Sequence, residues 1–347
     1  MRLLLIKTSS LGDVIHTLPA LTDALQHQPD LECHWVVEEN FAAIPSWHPG
    51  VKKVIPVAWR RWRSSLKSGN VYSEIGSFIS QLRQQRYDVI LDAQGLLKSA
   101  CISRLAHGHR MGLDFSSARE KIAALFYQRR LAVAKEQHAI DRLRHLFAQS
   151  LNYFLPQSTA DYAINRHQFH FSFENEINFV FLHGTAWLSK EWPDLYWQRL
   201  IALAVQEGSV GLPWGNERER LRAERLATVD PKRCHVLPKM DLNQLAALLA
   251  QARGVVSVDT GPGHLTAALG TPAVNLYGPT DPGLTGTRGQ YQIHLTGTCR
   301  KWPCKERLCP RINAPSAPCL SVLSPEWVWE TLTALRSQKG IANQNIA

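Results

Sequence analysis

One segment of the chain combines a carboxylate, a hydroxyl, two glycines and an imidazole within six residues. The segment Asp259-Thr260-Gly261-Pro262-Gly263-His264 follows the β-branched run from Val255 to Val258. Glycines at a strand-to-helix turn let a ligand approach the backbone, and the amides at the start of the next helix attract phosphate. The spacing therefore predicts a phosphate site at this turn. The alternative is an ordinary β-α turn, whose glycines only close the corner.

Two further segments of the same half of the chain suit a nucleotide. His183-Gly184-Thr185 follows an apolar run, and Lys190 comes five residues later, so a hydroxyl and an ammonium are available for a pyrophosphate. Glu219 follows Pro213-Trp214-Gly215 near the start of a helical pattern. A carboxylate there can accept hydrogen bonds from ribose hydroxyls, or it can simply interact with the helix dipole.

A carboxylate near the N-terminus is a candidate functional residue. Residues 3–7 have the pattern of a buried strand, and Asp13 follows them after a polar loop. Open α/β sheets bind ligands beyond the carboxyl ends of their strands, so this location is compatible with a functional role for Asp13. The apolar residues from Val14 onward have helical spacing, and Asp13 could equally cap that helix.

Basic residues in the first half of the chain could bind an acidic ligand. Arg60, Arg61 and Arg63 are interleaved with Trp59 and Trp62, and guanidiniums bind carboxylates and phosphates in a bidentate manner. The alternative is a solvated helix face. Four more basic residues lie in loops or near helix starts of this half and could line one anion-binding wall: Lys98, Arg119, His138 and Arg142.

Two series of alternating strand and helix patterns must position these side chains. Strands are predicted at 3–7, 34–37, 53–57 and 87–92, and then at 178–182, 209–212, 234–237, 255–258, 273–276 and 292–295. Helices are predicted at 18–26, 73–85, 96–106, 137–151, 194–206, 217–227, 242–251 and 325–336. We therefore predict two doubly wound α/β domains, 1–165 and 166–321, that face each other across a cleft. A C-terminal helix within 322–347 is expected to return to the first domain.

The composition of the 347-residue chain indicates an anionic partner. There are 39 Lys and Arg residues against 29 Asp and Glu, which gives a formal charge of +10. Such an excess suits nucleic acid, anionic lipid headgroups or phosphorylated small molecules. No apolar run is long enough to span a bilayer, and the N-terminus lacks the apolar core of a signal peptide.

Several classes of site are disfavoured by missing motifs. The chain has no Asp-x-Asp, so the charge of a leaving diphosphate must be met by cations, hydroxyls and backbone amides rather than by a bridging metal. It has no P-loop and no usable Gly-x-Gly-x-x-Gly. The tail holds Cys299, Cys304, Cys309 and Cys319 without the Cys-x2-Cys pairs of common zinc sites. A metal, free thiols and a disulfide all remain open for these cysteines.

The chain contains six motifs that, in their order along the sequence, resemble those of glycosyltransferase family 9, which includes the core heptosyltransferases. They are Lys7-Thr8-Ser9-Ser10-Leu11-Gly12-Asp13-Val14, Arg60-Arg61-Trp62-Arg63, Asp92-Ala93-Gln94-Gly95, Leu212-Pro213-Trp214-Gly215, Asp259-Thr260-Gly261 with His264-Leu265, and Tyr277-Gly278-Pro279-Thr280-Asp281-Pro282. The resemblance implies the GT-B fold, with the acceptor on the first domain and the nucleotide sugar on the second. It implies inverting transfer of L-glycero-D-manno-heptose from its ADP derivative to the inner Kdo of Kdo2-lipid A.

The resemblance also assigns residues. It implies that Asp13 is the general base and that no cofactor or metal takes part. The donor site then comprises Thr185, Ala186, Lys190, Glu219, Met240, Asp259, Thr260, Gly261 and His264. The acceptor site comprises Arg60, Arg61, Arg63, Lys98, Arg119, His138 and Arg142. Ala186 departs from the pattern, because a second threonine is expected there and one phosphate hydroxyl is lost.

The implied partners are the ADP-heptose donor, Kdo2-lipid A and the anionic surface of the inner membrane, on whose cytoplasmic face a peripheral enzyme would act. No nucleic-acid partner is expected. Two related enzymes are alternatives to this activity. One is a sibling heptosyltransferase II or III, which adds heptose to heptose, and the other is a GT-B sugar-nucleotide epimerase. The arginine cluster disfavours the sibling, since a neutral sugar needs no guanidiniums. A basic nucleic-acid-binding protein with a zinc tail would leave the Asp259 turn unexplained.

Overall fold

A computed structural model describes residues 1–65, 69–309 and 318–344 of the chain. The chain divides into two compact units, Met1–Ile164 and Asn165–Ala347. The predicted boundary after residue 165 thus lies within one residue of the division. Each unit contains one parallel sheet with helices on its faces.

The first unit is built on a six-stranded parallel sheet. Its strands are β1 (Arg2–Ile6), β2 (Glu32–Glu38), β3 (Val51–Val57), β4 (Arg86–Asp92), β5 (His107–Leu113) and β6 (Arg129–Leu131). They lie in the order β3-β2-β1-β4-β5-β6. β1 is central, and Leu3 to Ile6 have no solvent exposure, which is why this strand is a continuous apolar run.

Seven α-helices lie between or after these strands within the described residues of the unit. They are α1 (Leu11–Ile15), α2 (Leu18–His27), α3 (Ala43–Ser46), α4 (Trp59–Ser64), α5 (Gly69–Arg83), α6 (Leu97–Leu105) and α7 (Ala139–Leu151). One face of the sheet packs against α5, where Phe78 and Leu82 contact a core that includes Ile55 and Ile90. Trp62 of α4 is also part of this core and forms an edge-to-face pair with Phe78.

The second unit repeats the architecture. Its strands are β7 (Phe179–Leu182), β8 (Val210–Leu212), β9 (Cys234–Val236), β10 (Gly254–Val258), β11 (Ala273–Tyr277) and β12 (Gln292–Thr296), in the order β12-β11-β10-β7-β8-β9. Its helices are α8 (Asp194–Ala204), α9 (Glu217–Ala227), α10 (Leu242–Gln251), α11 (Gly261–Ala268), α12 (Pro282–Thr285) and α13 (Pro325–Gln344). All strand pairs of both sheets are parallel, so the predicted pair of doubly wound α/β units is confirmed.

The C-terminal helix corrects one expectation. α13 packs against α8, β10 and β11, and it belongs to the second unit instead of returning to the first. The reason is its apolar face, because Val328 and Leu332 have no exposure and lie in the core formed around Phe179 and Val256. Within the described residues, no helix combines the length and apolar character that a bilayer crossing requires.

The sequence patterns did not predict β5 and β6. β5 begins with exposed His107 and half-exposed Gly108, and β6 has only three residues, two of which are exposed. Neither strand therefore has the apolar run of a central strand. β4 positions β5, and β5 positions the edge strand β6, through backbone pairing.

Candidate functional site

The loop after β1 fixes the position of Asp13. Ser10 caps α1, and Asp13 is the third residue of that helix. Its Oδ2 accepts hydrogen bonds from the Ser10 amide and the Ser10 hydroxyl, both at 2.8 Å. The capping role left open by the sequence is therefore present. It is compatible with a second role, because a half-buried carboxylate can accept about four hydrogen bonds and can still take a proton.

The loop after β4 holds the Asp13 loop in place. Asp92 is fully buried at the end of β4 and accepts hydrogen bonds from the Gln94 amide at 2.8 Å and from the Tyr127 hydroxyl at 2.6 Å. Gln94 Oε1 in turn accepts from the amides of Thr8 and Ser9. Burial raises the pKa of Asp92, and the four donors that contact it act in the opposite direction. This chain of contacts fixes the backbone that leads to Asp13.

Lys7 is a buried cation that the sequence reasoning did not single out. It is 6% exposed, and its Nζ donates to the Ala93 carbonyl at 3.1 Å. Burial lowers the pKa of Lys7, and the charges of Asp13 and Asp92 oppose that effect. Arg119 and Arg142 act on the same ammonium and lower its pKa further. A lysine that directly follows a buried strand is the signal that could have identified it.

The structure gathers part of the predicted acceptor set near this loop. Lys98 Nζ is 3.5 Å from the Ser9 hydroxyl. Arg142 is half-buried and donates to the Ser117 carbonyl at 3.0 Å, and burial lowers its pKa. His138 is buried as the cap of α7, with its ring 5.7 Å from that of His16. Arg119 is exposed on the segment after β5.

The arginines of α4 differ in their contacts. Arg61 forms ion pairs with Glu39 at 3.0 Å and Glu74 at 2.9 Å, so its guanidinium is already engaged within the unit. Arg60 and Arg63 are exposed. The Arg60 amide donates to Glu38 Oε1 at 3.0 Å, and the Glu38 amide donates to the Thr8 carbonyl at 3.1 Å, which links α4 to the Asp13 loop.

In the second unit, Asp259 and Lys190 form the centre of the predicted donor site. Lys190 Nζ is 2.6 Å from Asp259 Oδ2, and the two side chains are 15% and 8% exposed. The Thr280 hydroxyl donates to the same oxygen at 2.6 Å, and the Thr185 hydroxyl donates to the Asp259 carbonyl at 3.4 Å. Three predicted donor-site residues therefore meet at the end of β10. The sequence patterns did not predict that Thr280 belongs to this site.

One of the two glycines of the Asp259 turn has a packing role. α11 starts at Gly261 with Thr260 as its cap. A Cβ at Gly263 would lie 2.8 Å from Ser257 Oγ, so this glycine allows α11 to pack on β10. At Gly263 the ordinary β-α turn interpretation thus applies. His264 is buried, with 7% exposure, in the first turns of the helix.

Of the remaining predicted donor residues, Glu219 lies beside Gly184, just after β7. Glu219 Oε2 accepts from the Gly215 amide at 2.8 Å, and a Cβ at Gly184 would lie 2.6 Å from the Glu219 carboxyl carbon. A cavity of about 460 Å³ opens here, lined by residues that include Gly184 and Glu219. Ala186 is exposed and Met240 is half-buried. His183 has no exposure, and burial lowers its pKa to about 3, so it is a core residue.

The cysteine-rich segment packs against the Lys190 loop. The Ser189 amide donates to the Arg307 carbonyl at 3.2 Å, and the Ser189 hydroxyl donates to the Glu306 carbonyl. The Trp187 ring lies 4.4 Å from Lys190 Nζ and 5.4 Å from the Arg307 guanidinium carbon. Sequence reasoning did not predict the contact between Arg307 and Trp187, because only the fold brings the cysteine-rich segment to this loop.

The four cysteines of that segment are all free thiols. Cys319 is buried, and burial raises its pKa to about 11, with a smaller contribution from the other three cysteines. Across residues 1–65, 69–309 and 318–344, no three His, Cys, Asp or Glu side chains are grouped as the ligands of a metal ion would be.

Comparisons with known proteins all lead to one family. Residues 75–314 match the sequence model of glycosyltransferase family 9 (heptosyltransferase). The chain is 50% identical over 311 residues to lipopolysaccharide heptosyltransferase 1 of Pseudomonas aeruginosa, covering 89% of this chain and 87% of the relative. It is 51% identical over 297 residues to the Escherichia coli K12 protein of the same name, covering 84% and 92%.

Solved structures give the same result. The structure of the E. coli heptosyltransferase WaaC with ADP matches with a TM-score of 0.85 and 45% identity, covering 96% of this chain and all of that chain. The same enzyme with ADP-2-deoxy-2-fluoro heptose matches with a TM-score of 0.82, covering 96% of this chain and 99% of that chain. E. coli heptosyltransferase II, at 21% identity and a TM-score of 0.76, shares the fold.

Proposed function

Since the chain belongs to glycosyltransferase family 9, the heptosyltransferases, we propose that it transfers L-glycero-D-manno-heptose from ADP-heptose to the inner Kdo of Kdo2-lipid A in lipopolysaccharide core synthesis. The observation that carries the proposal is the match, at 45% identity over 96% of the chain, to a structure that holds ADP-2-deoxy-2-fluoro heptose. The residues gathered at the ends of β7 and β10 are those expected to bind such a donor.

The donor diphosphate is bound in the second unit. The amides at the start of α11 and the positive end of its dipole favour a phosphate there. Lys190 supplies an ammonium whose position is fixed by Asp259 at 2.6 Å and by the Trp187 ring. Arg307 adds a second cation at the same ring. These groups stabilise the charge that develops on ADP as it leaves, and in this proposal they do so without a metal.

Asp13 accepts the proton of the attacking Kdo hydroxyl. Inversion in one step requires attack from the face opposite the departing ADP, and a carboxylate must take the proton as the new bond forms. Asp13 is half-buried and is held by Ser10 in a defined orientation. Lys7, Arg119 and Arg142 are close enough to act electrostatically in the same region. They provide positive charge for the carboxylates of the acceptor.

The experiment that tests the activity is mass spectrometry of the lipid product. Purified protein is incubated with ADP-heptose and Kdo2-lipid A, with and without a chelator. Addition of one heptose under both conditions supports the proposal. Addition of heptose only to an acceptor that already carries heptose would identify the sibling activity, and a donor epimerised without any acceptor would identify an epimerase.

The Asp13 assignment is tested separately by Asp13→Asn. Asparagine keeps an oxygen that can accept from Ser10, so the cap is retained while the base is lost. We expect kcat to fall by roughly 10² to 10⁴-fold with little change in the KM values. Ser10→Ala is the matched control, because it weakens the cap and leaves the carboxylate. Transfer by Asp13→Asn at close to the wild-type kcat would rule out Asp13 as the base.

We further propose that the protein acts at the cytoplasmic face of the inner membrane as a peripheral protein. The formal charge of +10 supports attraction to anionic headgroups, which weakens as salt increases. Sedimentation with anionic vesicles at low and high salt is the measurement. Binding at low salt that is lost at high salt is expected, whereas no sedimentation at either salt concentration would contradict the proposal.

A further inference from the structure

A basic pocket lies in the first unit, at the amino ends of the sheet strands, whereas the Asp13 loop lies at their carboxyl ends. The volume of the pocket is about 960 Å³, and it opens where β4 and β5 begin. The Asp13 loop follows the carboxyl end of β1, which is parallel to β4. β4 has seven residues, so the amino and carboxyl ends of the strands are separated by about 20 Å. A ligand in this pocket is therefore not a reactant of the proposed transfer.

The lining of this pocket has a strong excess of positive charge. Its basic residues are Arg83, Arg86, Arg104, Arg110, His107 and His109, and its single carboxylate is Asp88. Asp88 Oδ2 accepts from the Arg2 amide at 2.7 Å. Among the residues that the structure describes, none of the four arginines forms an ion pair.

Capping of helix ends accounts for only part of this cluster. Arg83 and Arg104 lie in the last turns of α5 and α6, where a cation interacts favourably with the helix dipole. Arg86 and Arg110 lie on β4 and β5, so the dipole gives no reason for them. Burial lowers the pKa of Arg110, and the charge of Arg104 lowers it further, which places two guanidiniums in mutual repulsion.

Backbone contacts fix part of the donor array. Arg83 Nε donates to the Leu105 carbonyl at 3.1 Å, and Arg110 Nε donates to the Phe126 carbonyl at 3.2 Å. A guanidinium has further donors on its two terminal nitrogens, and their planar arrangement matches the oxygens of a phosphate. An anion bound between these arginines would relieve their repulsion and satisfy those donors.

We propose that this pocket is a second anion site, which binds the phosphate groups of a compact phosphorylated ligand. The concave shape and the polar lining suit a small molecule or a single headgroup. A soluble phosphate ester and a lipid phosphate present the same chemistry to the four arginines. The site does not depend on the proposed transferase activity, because it uses none of the residues assigned to donor or acceptor.

The test is calorimetric titration of the full chain with inorganic pyrophosphate. The variant Arg86→Glu/Arg104→Glu changes two exposed residues of the pocket. The control variant Lys121→Glu/Lys135→Glu makes the same change in net charge at exposed positions that do not line the pocket. We expect the pocket variant to weaken one class of pyrophosphate sites by at least about tenfold relative to the control variant. Any binding at the donor site is common to both variants and does not affect the comparison.

Two further measurements complete the test. Sedimentation with phosphatidylglycerol vesicles identifies the source of the phosphate. Vesicle binding that is lost in Arg86→Glu/Arg104→Glu would indicate a lipid phosphate. Pyrophosphate binding at the pocket without such vesicle binding would indicate a soluble ligand. Thermal unfolding separates a ligand site from helix capping. Equal pyrophosphate affinity and stoichiometry in both variants would overturn the proposal, whether or not the pocket variant is less stable.

Discussion

The buried pair of Lys190 and Asp259 should be required both for stability of the second unit and for donor binding, and Lys190→Met tests both. Methionine keeps most of the aliphatic stem and removes the ammonium. Asp259, whose side chain is only 8% exposed, would then still accept a hydrogen bond from the Thr280 hydroxyl at 2.6 Å. Removing one partner of a buried pair typically destabilises a protein by about 3–5 kcal/mol, and the Thr280 contact favours the lower value.

The same substitution removes a cation from the proposed diphosphate site. A hydrogen bond to a charged group contributes about 1.5–3 kcal/mol, so the Kd for ADP should rise by roughly 10 to 100-fold. The double variant Lys190→Met/Asp259→Asn separates the two effects. Without the carboxylate there is no uncompensated buried charge, and most of the stability should return. The affinity for ADP should stay low, because the cation is still missing.

Urea unfolding of the ligand-free protein and calorimetric titration with ADP are the two assays. A loss of stability in Lys190→Met that the double variant reverses would support the structural role of the pair. If the free energy of unfolding of Lys190→Met lies within about 0.5 kcal/mol of the wild-type value, the reasoning from burial is refuted. If its Kd for ADP stays within about twofold of the wild type, the placement of the diphosphate is refuted instead.

Three further substitutions test other parts of the structure. Arg63→Ala should raise the KM for Kdo2-lipid A more than Arg61→Ala does, because carboxylates of the unit already bind the Arg61 guanidinium; steady-state kinetics with both variants decides this. Arg307→Ala should raise the Kd for ADP severalfold, measured by calorimetry with Arg300→Ala as the exposed control. Burial lowers the pKa of His48 from 6.5 to about 4, so the unfolded chain binds its proton first. Stability should therefore fall by up to about 3 kcal/mol as the pH drops from 6.5 to 4, and His48→Asn should flatten that dependence in acid unfolding.

The sequence was a good guide where strands are buried on both faces. Every predicted strand of the second unit coincides with an observed one to within a residue at each end. The four inner strands, β7, β8, β10 and β11, are fully buried and are short apolar runs bounded by turns. β5 and β6 lack that signal, because β5 is fixed by its pairing to β4 and β6 by its pairing to β5. The placement of α13 could not be predicted for a related reason. An apolar helix face shows that a helix is buried, but it does not show against which unit it packs.

The site shows a similar division. Residues that follow strands, such as Asp13 and Lys190, could be selected because the fold class places strand ends at one edge. The contacts of these residues could not be predicted from the sequence, since they join distant parts of the chain. Thr280 reaches Asp259 across 21 positions, and Arg307 reaches Trp187 from the cysteine-rich segment. The packing role of Gly263 against Ser257 likewise depends on the distance between α11 and β10.

Pairing within the fold, and not residue type, decides which cations are available to a ligand. Arg144 forms a buried ion pair with Asp23 at 2.6 Å, and Arg222 donates to Asp194 at 2.7 Å, so both guanidiniums hold elements of their own unit together. Arg86 has no such carboxylate among the residues that the structure describes. A guanidinium without an internal partner keeps its donors for an external anion. The net charge of a sequence therefore predicts that anions bind, and only the contacts of each arginine indicate where.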